Sequence, residues 1–220
     1  MTKNVLLVGG SGGIGVACAE WFKARGYALY ILDRDRGQDA TNPDDYKKVL
    51  AGVTHLDVVV NAAGSVGVGG IEDCTVAEWR RVLDDNLTSA FVACQAALPL
   101  LRRDGSIVLF SSVNGRHGGN RLSGPAYASA KAAIVGLTKH LAKDLAARGI
   151  RVNALAPGPV ATPMLARLTE EEIEKLRATM PLGNIVEAGE IAGTVGWLCS
   201  PDAKSITGMV VDINGGIWMA

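Results

Sequence analysis

Short runs of apolar, often β-branched residues alternate along the chain with longer segments in which apolar residues recur at helical spacing. Such runs are typical of parallel strands buried on both faces, which amphipathic helices then cover. The pattern predicts a doubly wound α/β fold built on a parallel sheet. The predicted strands lie at 5–8, 28–32, 56–60, 106–110, 151–155 and 209–213, and the predicted helices near 14–25, 44–51, 76–102, 126–148, 169–178 and 188–199.

The connection after the second predicted strand is too short to hold another strand of the same sheet. Asp33 ends that strand, and the next predicted helix begins at residue 44. Two adjacent parallel strands need a crossover of about a dozen residues or more. We therefore predict a sheet of about six strands, in which the chain passes from Asp33 through a short loop into the helix at 44–51.

The composition is that of a soluble globular protein, and we predict a single domain over residues 1–220. The apolar share of 48% is enough to form a large core in a chain of this length. The 22 basic residues balance the 22 acidic ones, and no basic stripe would attract a nucleic-acid backbone. We therefore expect no nucleic-acid partner.

The chain carries no pattern typical of export or of membrane insertion. The short apolar run near the N-terminus is much smaller than the core of a signal peptide, and no uncharged stretch is long and apolar enough to span a bilayer. The four cysteines lie far apart without metal-binding spacing, which predicts free thiols in a reducing compartment. We expect a cytoplasmic protein with no membrane partner and no metal.

A glycine-rich segment, VGGSGGIG at 8–15, follows the first strand and opens the first helix. Glycine allows a tight turn and the close approach of a pyrophosphate to bare backbone, and the helix N-terminus supplies amide donors. The spacing differs from the G-x-G-x-x-G fingerprint, and a glycine-rich turn without a ligand is the alternative. The predicted dinucleotide site comprises Gly9, Ser11, Gly12, Gly13, Ile14 and Gly15.

Asp33 stands at the end of the second strand, where a carboxylate can accept hydrogen bonds from the adenosine ribose. A 2′-phosphate there would be repelled by up to ~4 kcal/mol per unit-charge pair near 4 Å at an effective dielectric of about 20. NAD is therefore predicted as the cofactor in preference to NADP, although Arg34 and Arg36 offset part of the repulsion. A turn-forming aspartate is the alternative.

The segment YASAK at 127–131 places a phenol and an ammonium on one face of a helix. Most pairs with this spacing only cover a solvated helix face. Bringing a free tyrosine from a pKa of about 10 to about 7 takes three units, or about 4 kcal/mol. One ammonium close by in a partly dry site can supply a contribution of that size, so Tyr127 and Lys131 suffice for proton transfer beside a bound cofactor and substrate.

Five motifs follow the glycine loop in a recognisable order: NAAG at 61–64, NLTS at 86–89, SSVNG at 111–115, YASAK at 127–131 and PGPVAT at 157–162. The chain closely resembles the short-chain dehydrogenase/reductase family, from Val5 to the VVDINGG segment that ends at Gly216. The resemblance implies a three-layer Rossmann fold, a nicotinamide dinucleotide cofactor and oxidoreductase activity on a small alcohol or carbonyl compound.

The same resemblance implies four catalytic residues. Tyr127 would be the general acid/base, and Lys131 would hold the nicotinamide ribose and lower the pKa of the phenol. Ser112 would hydrogen-bond the substrate oxygen, and Asn86 would continue the proton relay through a water. A surface position for Asn86 and a turn-capping role for Ser112 are the alternatives, and Ser111 competes for the serine role.

Further cofactor contacts carry over by resemblance. Asn61 and Gly64, with Ala62 and Ala63 between them, would line the adenosine side, and Thr162 would reach the nicotinamide carboxamide. Pro157 and Gly158, with Val160, would shape the turn that makes room. Residues 164–186 would form the mobile substrate lid.

The sequence departs from the family pattern on the adenine side and beside the active site. Val8 replaces the usual threonine before the first glycine. The family's third strand and the helix before it are missing, and Asp39 with Ala40 is expected to cover the adenine instead. The loop from 113 to 126 is two residues longer than usual and carries Arg116, His117 and Arg121, which either favour an anionic substrate or are solvated loop charges.

The leading hypothesis is an NAD-dependent oxidoreductase that moves a hydride between nicotinamide and a secondary alcohol or ketone. An NADPH-dependent reductase of 3-oxoacyl thioesters is the nearest alternative, but it would favour a basic residue before Gly13 or at position 33, where this chain has Gly12 and Asp33. A dinucleotide-binding sensor or scaffold without turnover is the alternative of another class. The Ala- and Leu-rich helices at 76–102 and 126–148 resemble those that pair across a two-fold axis in the family, so we expect a homotetramer or a homodimer.

Overall fold

The computed structural model of the protein describes residues 2–163, 165 and 168–219. Its main sheet contains β1 (Asn4–Val8), β2 (Ala28–Leu32), β3 (Leu56–Asn61), β4 (Leu101–Phe110), β5 (Arg151–Pro157) and β8 (Val210–Ile213). All six strands are parallel, in the order β2-β1-β3-β4-β5-β8. The short strands β6 (Val160–Ala161) and β7 (Val186–Glu187) form a separate parallel pair that the sequence patterns did not predict. The predicted doubly wound parallel sheet is confirmed.

Helices cover both faces of the sheet. They are α1 (Gly13–Lys23), α2 (Pro43–Val49), α3 (Val76–Leu83), α4 (Ser89–Ala97), α5 (Asn114–His117), α6 (Gly124–Leu145), α7 (Glu170–Ala178) and α8 (Ala188–Leu198). Alternate residues of β1 point to opposite faces: Leu6 joins the core under α2, α4 and α6, whereas Leu7 joins the core under α1 and α8. No helix in the described part of the chain has the length and apolarity needed to cross a bilayer.

The order of the strands creates a crevice at the carboxyl ends of β1 and β3. The chain leaves β1 for β2 on one side and then returns to the other side of β1 as β3. Ligands of open α/β sheets bind at such a switch point. The loop after β1 and the segment after β3 therefore face each other where a ligand is expected.

The absence of a third strand on the adenine side is confirmed for the described residues. After β2 the chain forms a single 3₁₀ turn, Arg34–Arg36, and then enters α2 at Pro43. Asp33 caps the 3₁₀ turn by accepting the N–H of Asp35. β2 is consequently an edge strand of the main sheet.

The prediction of one continuous helix over 76–102 was wrong. A π-helical turn at Asp84–Thr88 separates α3 from α4, and the side-chain amide of Asn86 donates to the carbonyl of Val82 at 2.8 Å. Side chains that bond to the carbonyl four residues back bend helices. The helix ends at Ala97, shortly before Pro99, whose ring and missing N–H cannot continue it, and residues 101 and 102 belong to β4.

Candidate active site

Close packing around the glycine loop makes glycine necessary at two positions. Gly9 has a φ of +79°, and a Cβ added to it would lie 2.5 Å from the backbone nitrogen of Ala63. A Cβ on Gly15 would overlap the carbonyl oxygen of Gly9. Gly12 caps α1 without a side-chain acceptor, so the first N–H groups of the helix remain available to an anionic ligand.

Two adjoining cavities follow the carboxyl ends of the strands, one of about 480 Å³ and one of about 260 Å³. Gly9, Gly12 and the segment 62–64 line both. The larger cavity also brings together the predicted residues Ser11, Gly13, Ile14, Gly15, Asn86, Ser112, Tyr127, Lys131, Pro157, Gly158, Val160 and Thr162. The smaller one brings together Asp33, Arg34 and Asp39. Asn61 is the predicted site residue that lines neither cavity; its side chain is buried and its amide donates to Ser89 at 3.5 Å.

Two aspartates mark the far end of the smaller cavity. The carboxylate of Asp33 is nine-tenths buried and accepts the backbone N–H groups of Ser11 at 2.7 Å and of Asp35 at 2.9 Å. Asp39 accepts both the N–H and the hydroxyl of Thr41 at 2.8 Å. These bonds fix both carboxylates beside the cavity, and the short connection after β2 therefore still builds a wall where adenosine is expected.

Lys131 is buried one helical turn after Tyr127 on α6. Its Nζ donates to the carbonyl oxygen of Phe110 at 2.9 Å and lies 5.5 Å from the centroid of the Tyr127 ring. Burial lowers the pKa of Lys131 from 10.5 to about 8. The ammonium is thus still charged near neutral pH and stands close to the phenol.

The two serines after β4 have different partners. The hydroxyl of Ser111 donates to the carbonyl oxygen of Lys131 at 2.7 Å, so it fixes the end of β4 against α6. The Oγ of Ser112 accepts the N–H of Asn114 at 3.2 Å, which leaves its hydroxyl hydrogen to donate. Ser112 is therefore better placed than Ser111 to bind a substrate oxygen in the larger cavity.

Asn86 points its amide oxygen into a buried space beside Lys131. Its Nδ2 donates to the carbonyl oxygens of Ser65 and Val82, at 2.7 and 2.8 Å, whereas Oδ1 is buried and finds no donor among the described residues. Oδ1 and the Nζ of Lys131 both lie within 3.5 Å of the point that a Cβ on Gly64 would occupy. A buried acceptor of this kind fits a water that joins Asn86 to Lys131.

The burial of Lys131 leads to a prediction about stability and pH. The unfolded chain holds this proton up to a pKa of 10.5 and the folded chain only up to about 8. The unfolded state therefore binds more protons between these values, and this residue makes the wild-type protein more stable as the pH rises through them. Lys131→Met removes that gain, so the unfolding free energy of the variant relative to wild type should fall by on the order of 3 kcal/mol from pH 7 to 10.5.

Urea unfolding of the cofactor-free protein over this pH range measures the effect. Lys139→Met, which changes an exposed lysine of the same helix, serves as the matched control and should show no such trend. A difference between Lys131→Met and wild type that does not change with pH would contradict the prediction.

Comparisons with known proteins show the family to which the chain belongs. Residues 37–218 match the family model described as enoyl-(acyl carrier protein) reductase. The 3-oxoacyl-[acyl-carrier-protein] reductase of Vibrio cholerae is 34% identical over 99% of this chain and 98% of its own. A crystal structure from Brucella melitensis, described as a short-chain dehydrogenase/reductase (glucose/ribitol dehydrogenase), matches with a TM-score of 0.94 at 32% identity over 99% of this chain and 97% of its own.

The chain belongs to the short-chain dehydrogenase/reductase family. It is therefore an oxidoreductase with a Rossmann-type fold. Two further structures of similar proteins hold cofactors. A 3-oxoacyl-[acyl-carrier protein] reductase from Brucella melitensis with bound NAD matches with a TM-score of 0.88 at 33% identity over 99% of this chain and 92% of its own. A blue fluorescent protein from a metagenomic library, in complex with NADPH, matches with a TM-score of 0.90 at 28% identity over 99% of this chain and 98% of its own.

In the long loop from 113 to 126, both arginines pair with carboxylates. Arg116 makes two bonds to the Asp212 carboxylate, at 3.2 and 3.1 Å, and a third to the carbonyl oxygen of Val210. Arg121 pairs with Asp73 at 2.7 Å. Neither arginine, nor His117, lines either cavity. The interpretation in which these residues select an anionic substrate has no support in the structure, because the two arginines have structural partners.

Several residues of the larger cavity were not predicted individually. Leu165, Leu168 and Leu176 come from the segment expected to act as a lid, and Val113 and Leu122 come from the long loop. All five are apolar and make their part of the cavity lining suitable for a hydrocarbon group. Positions 164, 166 and 167 of the expected lid lie outside the described residues. Leu176 lies on α7 and the other four lie outside the long helices; an apolar residue in a loop carries no periodic signal, and the helical spacing around Leu176 does not show which cavity it lines.

Proposed function

We propose that the protein is an NAD(H)-dependent short-chain oxidoreductase that reduces 3-oxoacyl thioesters to 3-hydroxyacyl thioesters. The observation that carries the proposal is the convergence of Tyr127, Lys131, Ser112 and Asn86 on one cavity that opens from a glycine-rich dinucleotide loop. The names of the curated relatives favour this substrate class over the simple secondary alcohols of the leading sequence hypothesis. A ketone and a secondary alcohol are interconverted in either case.

The residues present fit a nicotinamide dinucleotide. The N-terminus of α1 and the bare backbone of the glycine loop would hold the diphosphate. Asp33 would bind the adenosine ribose, with Asp39 and Ala40 along the adenine. Tyr127 and Lys131 would hold the nicotinamide ribose, and Thr162 would reach the carboxamide. When bound, the cofactor supplies or accepts a hydride.

The chain's own groups would manage the proton. The Ser112 hydroxyl donates a hydrogen bond to the substrate carbonyl oxygen and polarises it, and the Tyr127 phenol gives that oxygen its proton during reduction. The Lys131 ammonium favours the phenolate that Tyr127 becomes. Asn86 Oδ1 holds a water that passes a proton back through Lys131 to Tyr127. In oxidation the same groups act in the reverse order.

The lining of the larger cavity supports an uncharged, partly hydrocarbon substrate. Lys131 is the one cationic side chain that lines it among the described residues, and its Nζ already donates to Phe110. The leucines at 165, 168 and 176 also line this cavity. An acyl chain bound along them would place its 3-oxo group beside Ser112 and Tyr127.

The test is a spectrophotometric assay of NADH oxidation with acetoacetyl-N-acetylcysteamine, with longer 3-oxoacyl thioesters and with methyl ketones of matched chain length. We expect a kcat/KM for the thioesters at least about 100-fold above that for the ketones. A ratio of this size corresponds to about 2.7 kcal/mol of additional transition-state binding, which we assign to contacts with the thioester and the acyl chain. Equal activity on matched ketones would favour a general carbonyl reductase. Cofactor binding without turnover of any of these compounds would favour the sensor or scaffold.

We also propose that the chain acts as a homotetramer, or else a homodimer, and that it resides in the cytoplasm. Phe91 on α4 keeps an exposed apolar side chain, in the region expected to pair across a two-fold axis. Light scattering at micromolar concentration tests the assembly, and a monomer would refute it.

A further inference from the structure

An ion pair joins the two walls of the smaller cavity. Arg34 begins the 3₁₀ turn directly after Asp33, and Asp85 lies in the π-helical turn directly before Asn86. The Nη2 of Arg34 lies 2.7 Å from Oδ1 of Asp85. Arg34, Asp85 and Asp33 all line this cavity. A cation therefore stands beside the expected ribose site, with its charge already satisfied by a second carboxylate.

Asp85 is the fixed partner of this pair, and Arg34 is the movable one. The Oδ2 atom of Asp85 accepts from Nη1 of Arg81 at 2.9 Å and from the hydroxyl of Ser65. The Asp85 side chain is 10% exposed, whereas the Arg34 side chain is 75% exposed. Ser65 and Arg81 thus hold the Asp85 carboxylate in place on its side of the cavity, and the exposed Arg34 side chain extends across the cavity to pair with it.

The pair engages Arg34, the one cationic side chain that lines the smaller cavity among the described residues. Asp85 is the one carboxylate that Arg34 pairs with in the described part of the chain. A guanidinium without that partner would offer a planar set of donors that suits a phosphate group. With the pair intact, a 2′-phosphate would be repelled by the carboxylates of Asp33 and Asp85, because Arg34 is already paired with Asp85.

We propose that Asp85 is a specificity-determining residue that disfavours NADP by holding Arg34 in an ion pair. The inference rests on the proposed dinucleotide site and adds a second element to its selectivity. Asp33 acts by repelling the 2′-phosphate directly. Asp85 acts by occupying the cation that would otherwise compensate for that repulsion.

The substitution Asp85→Asn removes the charge and keeps the shape of the side chain. We expect NADPH to bind at least about tenfold more tightly to this variant than to wild type, while NADH affinity stays within about threefold, because the released Arg34 gains a phosphate partner. Nicotinamide fluorescence measures both. Calorimetry with adenosine 2′,5′-bisphosphate, which lacks the nicotinamide, should show the same gain. Asp84→Asn, at an exposed neighbour in the same turn, is the matched control and should leave both affinities unchanged.

Arg34→Ala separates the role of Arg34 from a general effect of charge. In the Asp85→Asn background it should abolish the gain in NADPH affinity, and in the wild-type background it should change that affinity by less than about twofold, since Arg34 is already engaged. An unchanged NADPH-to-NADH affinity ratio in Asp85→Asn, or a gain that persists in the double variant, would overturn the proposal. If Asp85→Asn does not fold, a fivefold or larger loss of NADPH affinity in Arg34→Ala alone would overturn it. Wild-type protein that bound neither NADH nor adenosine 2′,5′-bisphosphate would instead refute the dinucleotide site itself.

Discussion

Replacing Tyr127 by phenylalanine is expected to lower kcat by a factor of about 10² to 10⁴, the usual contribution of a positioned general acid/base. The variant loses the proton donor and keeps the ring that packs beside Lys131. NADH affinity should therefore change by less than about threefold, since the diphosphate and adenosine contacts are untouched. Stopped-flow turnover with a 3-oxoacyl thioester and a fluorescence titration with NADH measure the two quantities separately.

Ser129→Ala provides the matched control for this experiment. Ser129 lies within the same YASAK segment, on an exposed position of α6, and its hydroxyl has no part in the proposed chemistry. Its turnover should equal that of wild type. If Tyr127→Phe retained more than a tenth of wild-type kcat, proton transfer by Tyr127 would be excluded.

Replacing Gly15 by alanine is expected to weaken NADH binding and to destabilise the fold. The added Cβ would overlap the carbonyl oxygen of Gly9, and because that atom belongs to the backbone, the loop must shift. Overpacking of this kind costs about 1 to 3 kcal/mol. For each 1.4 kcal/mol of this cost that falls on the cofactor-bound form of the loop, NADH affinity should fall roughly tenfold. Urea unfolding and NADH titration measure the two effects.

Gly136→Ala is the matched control, because it is the same substitution in a helix where, beyond the nearby helix backbone, no atom of the described residues lies within 4 Å of the added Cβ. Alanine has the higher helix propensity, so this variant should be more stable by up to about 1 kcal/mol and should bind NADH normally. If Gly15→Ala behaved like Gly136→Ala, the close approach of α1 to the loop would not be needed for the cofactor site.

The features that the sequence predicted well are those set by local pattern. Buried parallel strands read as short apolar runs, and glycine positions such as Gly9 mark backbone that must pass close to other backbone. The i, i+4 spacing of Tyr127 and Lys131 places both on one face of α6 without any tertiary information. The short connection after Asp33 likewise predicted the missing strand from chain length alone.

The features that the sequence missed depend on contacts between distant residues. The π-helical turn occurs where the Asn86 side chain bonds both Val82 and Ser65, and helix propensity does not encode these contacts. The sequence places Arg116 in a basic loop, and only the folded chain brings it to its partner, Asp212 on β8. From the sequence, Arg34 is expected to offset part of the repulsion of a 2′-phosphate, whereas in the structure it pairs with Asp85, 51 residues away.

A fluorescence titration of the purified, cofactor-free protein with NADH, and in parallel with NADPH, tests the central claim most directly. The account predicts saturable binding of NADH that is at least about tenfold tighter than that of NADPH, because the Asp33 carboxylate repels a 2′-phosphate. Tighter binding of NADPH would contradict the roles given to Asp33 and Asp85. Binding of neither would mean that the cleft beside Tyr127 is not a dinucleotide site.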